Sequence, residues 1–195
     1  MHGPAVLSWL LALLTTATGG LCLLRLRRPA GRVPGAGSRG GHPDDRGSDA
    51  AEAAMGLGMA AMIVLGDRLP APLWVGLFGL LGAASLCAAA GRRAGGLRAH
   101  RLHHAVGAAA MVYMALAMGH PPQQSHPGMV MPMGLPAVTG PLLVYFGCYA
   151  LWSGSRLLTV TAYPGGPAAG RPAGPLPEAC RLAMGVGMFA MLLAL

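Results

Sequence analysis

"APLWVGLFGLLGAASLCAAA", residues 71 to 90, runs for twenty positions without a charged side chain. A helix of that length spans about 30 Å, the hydrocarbon thickness of a bilayer, so the stretch reads as a membrane-crossing helix. The same reading applied outward finds five further runs, at 4–24, 50–66, 102–119, 137–159 and 178–195. The fifth carries Gly140-Pro141 near its start, where a kink or a shortened helix is expected. The expected fold is therefore all-α, a single polytopic membrane domain with a bundle of about six transmembrane helices.

Composition agrees with that class. Hydrophobic residues make up 54% of the 195, charged residues 10%, and glycine alone occurs 31 times. All 14 basic residues are arginine, which with the abundant Ala, Gly and Pro indicates the GC-rich coding of a high-GC bacterium. A net charge of +8 suggests nucleic acid when it lies on a soluble face; here the arginines fall between apolar runs, and nucleic-acid binding is set aside.

Those arginines predict a topology. Arg25, Arg27, Arg28, Arg32, Arg39 and Arg46 follow the first run, and Arg92, Arg93, Arg98 and Arg101 follow the third. Arg156, Arg171 and Arg181 flank the link between the last two, leaving only Arg68 on the other side. Loops that stay in the cytoplasm keep positive charge, so the chain is expected in a bacterial cytoplasmic membrane with both termini outside. The first run is followed, not preceded, by its basic residues, the reverse of a secretory signal, and is expected to be retained. Leu21 before Cys22 does not suit a lipidation site. Residues 29–49 and 163–177, rich in Gly, Pro and Arg, are expected as cytoplasmic linkers, and 120–136 as an extracytoplasmic loop. Cys22, Cys87, Cys148 and Cys180 form no CxxC and read as small apolar fillers.

An internal repeat carries more information. "MGLGMAAM" (55–62), "GAAAMVYM" (107–114) and "MGVGMFAM" (184–191) share the pattern M-x-x-x-M-x-x-M, with Gly107 in place of the first methionine. Steps of four and three put Met55, Met59 and Met62, then Met111 and Met114, then Met184, Met188 and Met191 each on one helix face. Three helical hairpins follow, each giving one striped helix to a common centre. Just before each stripe, at equivalent positions, stand Glu52, His104 and Arg181, with His100 on the face of His104. Glu52 and Arg181 lie within a turn of a span's end. Their expected state is to snorkel to water and pair on their own helix, as Glu178 and Arg181 can at i, i+3.

The stripes have two readings. Met and Gly together pack helices closely, which is the favoured one. Thioethers and imidazoles also suit Cu(I), which makes the stripes and His104 candidate metal ligands. A second candidate is "HPGMVMPMG" (126–134), where His126, Met129, Met131 and Met133 follow His120 in a proline-stiffened loop. Bis-histidine haem is not supported, because every histidine near a span belongs to one helix or its flanks; only His/Met ligation is left. No nucleophile elbow, zinc-protease motif, Walker loop or carboxylate pair occurs, so no catalytic residue is assigned.

The blocks "MHGPAVLSWLLALLTTATGGLCLLRLR", "EAAMGLGMAAM", "LHHAVGAAAMVYMALAM" and "CRLAMGVGMFAMLLAL" resemble the actinobacterial membrane proteins grouped under a domain of unknown function, DUF5134, of Streptomyces type. The resemblance implies a small multi-span membrane protein and transfers no activity. The function expected from the sequence is a structural or assembly role in the lipid bilayer, beside a membrane-protein partner or a second copy. The alternative is Cu(I) binding, sensing or transport through the Met and His residues.

Overall fold

A computed structural model describes residues 3–27, 43–66, 68–91, 98–119, 135–162 and 175–195. These form six helices and, among the described residues, no strand: α1 (Gly3–Arg27), α2 (Pro43–Leu65), α3 (Ala71–Ala90), α4 (Arg98–Gly119), α5 (Pro136–Ala162) and α6 (Pro175–Leu193). The apolar runs account for all six. Three helices start earlier than hydropathy alone suggests, α2 and α6 each within a stretch read as linker. Pro43 and Pro175 stand at first helical positions, where a fixed φ and a missing N–H do no harm. Pro141 leaves α5 unbroken.

The chain divides into two compact units, Met1–Gly119 and His120–Leu195. In the first, α1 packs on α2 and α3 on α4, and α2 meets α4. Ala12, Thr15, Gly19 and Cys22, spaced by three and four, are the buried positions that α1 turns to α2. A Cβ on Gly19 would stand 2.9 Å from the Leu57 nitrogen, and one on Gly56 would stand 3.1 Å from the Gly19 Cα. The two backbones touch, an approach that glycine without a side chain allows. The α1/α2 pair is antiparallel: Thr15 lies by Gly56 and Cys22 by Glu52. So is α3/α4, where Gly119 lies by Ala71 and the Arg101 guanidinium donates to the Ala88 carbonyl at 2.7 Å.

Methionine stands at the contact of α2 with α4: Met55 lies against Gly107 and Met118 against Gly66. Met55, Met59, Met62, Met111 and Met114 are buried, and the Met55 methyl lies 3.2 Å from where a Gly107 Cβ would stand. Gly107, the odd residue of the repeat, is thus the notch that receives the first methionine of the neighbouring stripe. In the second unit α5 packs antiparallel on α6, with Gly147 against Phe189 and Gly154 against Leu182. Met184 and Met188 are buried, and Met191 is half-buried.

Among the described residues, two helices, α3 and α4, are long and apolar enough to cross a membrane; Ser8–Leu24 of α1 is a shorter apolar stretch. Large apolar side chains lie exposed along α1, α3 and α5, including Leu13, Leu80 (72% exposed) and Leu151 (78%).

Candidate metal centre

Three buried ionisable side chains of the first unit, Glu52, His103 and His104, lie toward one end of the hairpins. Glu52 stands on α2, His100 and His104 on α4, and one ligand atom from each lies within 4.8 Å of the other two. His100 Nε2 is 3.2 Å from Glu52 Oε1 and 3.0 Å from His104 Nε2. Glu52 is 3% exposed and His104 2%. The spacing His-x-x-x-His puts both imidazoles on one helix face, rings edge to face with centroids 4.5 Å apart.

Proton accounting constrains what this cluster can do. A ring nitrogen offers one hydrogen or one lone pair. With a hydrogen, His100 Nε2 can donate well to Glu52 or to His104, but not to both. With a lone pair it opposes the carboxylate. A divalent cation at the common centre is attracted to all three atoms. Metal arms of about 2.0–2.1 Å in a tetrahedron set ligand atoms about 3.3 Å apart, close to the separations His100 already makes. Two imidazole nitrogens and a carboxylate oxygen are borderline to hard donors, suited to Zn(II), Co(II) or Cu(II) more than to Cu(I).

The far side of the carboxylate is also held. Cys22, 1% exposed on α1, donates its thiol to Glu52 Oε2 at 3.5 Å. Ligating carboxylates are commonly oriented by such outer partners. Cys22 is therefore more than an apolar filler, while Cys180 is buried and Cys87 and Cys148 are exposed; none of the four forms a disulfide. His103 is buried too, its ring 6.0 Å from that of His104.

The expectation that Glu52 snorkels to water is corrected. Because α2 begins at Pro43, Glu52 is its tenth residue and lies against α4, not at a frayed end. Arg181 follows the other expectation, pairing with Glu178 at 3.3 Å on its own helix. Of the candidate ligands, His104 joins the cluster; Met55, Met59, Met62, Met111 and Met114 are buried, Met55 with its methyl against Gly107. His120, His126, Met129, Met131 and Met133 lie outside the described residues. His100 and Glu52 were not singled out as ligands from the sequence. The signal for His100 was its i, i+4 spacing to His104, and for Glu52 its place at the repeat position of His104.

No curated protein and no solved structure matches the chain. A family defined by a domain of unknown function, DUF5134, matches residues 44–195, a stretch that holds Glu52, His100 and His104 and leaves out α1 with Cys22. On that match the chain belongs to the DUF5134 family.

Proposed function

We propose that the protein is a multi-pass membrane protein that holds a divalent transition-metal ion on Glu52, His100 and His104. The convergence of three lone-pair donors on one buried point carries the reading. Burying a carboxylate at that depth costs several kcal/mol, and a cation shared with two imidazoles offsets it. Ionisable groups inside a membrane helix bundle are functional candidates by default.

The membrane setting is part of the proposal. Exposed leucines on α1, α3 and α5 favour lipid over water by about 1.5–3 kcal/mol each when fully covered. With six spans and arginine-rich loops inside, both termini lie outside, and the centre sits near the cytoplasmic ends of α2 and α4.

The test is metal analysis of tag-free protein purified in detergent. One Zn(II) or Co(II) per chain is expected, lost in Glu52→Gln and in His104→Ala and kept in Met59→Leu. Substoichiometric metal that is indifferent to these changes would leave an assembly role beside a partner or a second copy as the better reading. Copper handling is the second reading, favoured by the His and Met content of residues 120–134. Anaerobic Cu(I) competition that weakens when Met129, Met131 and Met133 become Leu would establish it independently of the cluster.

A further inference from the structure

Resting on that metal reading, we infer that the centre keeps a coordination position open to a small anion of carboxylate or phosphate type, reached through a cavity between α2 and α3. Zinc-like ions take four or more ligands, and a site with three protein ligands leaves at least one for an exchangeable molecule. A cavity of about 360 Å³ lies against both imidazoles. His100 and His104 line it and Glu52 does not, so an exchangeable ligand would enter from the imidazole side.

The cavity is built for access. Its α2 and α3 walls include Ala50, Ala54, Ala84 and Ala88, four side chains of minimal size that are themselves exposed. A water needs about 30 Å³, and pockets for small molecules begin near 300 Å³, so the space accepts more than solvent. Its charge selects the class of guest. Arg101 lines the same cavity, and its bond to the Ala88 carbonyl holds the guanidinium there. A cationic metal and a guanidinium on one apolar-walled space favour an oxyanion. The phosphate of a lipid headgroup and free phosphate share this chemistry.

The experiment uses full-length protein in detergent loaded with Co(II), its visible spectrum followed during titration with azide, inorganic phosphate or dihexanoyl phosphatidic acid. Saturable spectral shifts are expected with azide and with at least one phosphate probe. A shift with phosphatidic acid at concentrations where phosphate is silent assigns the source to lipid; the reverse assigns a free anion. Ala84→Leu/Ala88→Leu and, separately, Arg101→Gln should retain the starting cobalt spectrum and weaken the anion response by about tenfold. A normal cobalt spectrum insensitive to all three probes, or an unchanged azide response in both variants, overturns the open position. Absence of a cobalt spectrum in the parent overturns the metal reading beneath it.

Discussion

Two acidic residues stand on two helices that the repeat makes equivalent, and they meet opposite fates. Glu52 of α2 is 3% exposed and faces two imidazoles of another helix, while Glu178 of α6 is 15% exposed in its side chain and pairs with Arg181 one turn along. The difference lies in the neighbours. Around Glu52, α1 approaches closely enough through Gly19 and Gly56 to bring Cys22 onto the carboxylate, and α4 supplies the histidines. Around Glu178 the basic partner comes from the same helix, so the pair needs no second element. A carboxylate is committed to chemistry when it is held from several helices at once.

The comparison breaks first at the cluster. Removing one partner of a buried, mutually dependent set costs about 3–5 kcal/mol, so His100→Ala should lower stability in detergent by that order and abolish metal binding, read by thermal unfolding with and without Zn(II). If His100→Ala unfolds like the parent, the cluster does not hold the hairpins together. The next effect is steric. Gly56→Val puts a side chain where the Gly19 backbone already stands, and overpacking of this kind costs about 1–3 kcal/mol. It should also loosen the Cys22 contact and so weaken metal affinity at a distance; a variant with parent affinity would separate helix approach from the centre.

A smaller change sharpens the role of the thiol. Cys22→Ala removes the donor behind Glu52 Oε2, and loss of such an outer partner lowers metal affinity about tenfold to a hundredfold, with Cys22→Ser recovering most of it. Equal affinities for all three forms, measured by chelator competition, would make Cys22 a filler after all. The smallest effect belongs to the other acid. Glu178→Gln should change stability by less than about 1 kcal/mol and leave metal content untouched, because a partly exposed i, i+3 pair contributes little.

Much of the helical layout was legible in the sequence, since twenty-residue apolar runs leave few alternatives to a helix. The early starts of α2 and α4 were not, because Pro43–Asp49 and Arg98–Arg101 are polar and a hydropathy reading stops where they begin. Those extra turns are what carry Glu52 and His100 inside the hairpins. The repeat did place Glu52 and His104 at one level, which was half of the site. The other half, Cys22 and the α1 approach, depends on contact across a linker of more than a dozen residues, and spacing along the chain holds no record of it. The methionine stripes were read on the right faces. What Gly107 does in the repeat was not legible: it is the notch that receives the Met55 methyl.

Whether Glu52, His100 and His104 hold a metal ion is decided by binding of Co(II) to tag-free protein beside Glu52→Gln. One ion per parent chain with the intense visible bands of low-coordinate cobalt is expected, and loss of both in the variant. Identical spectra in the two proteins, or no bound ion in either, would contradict it.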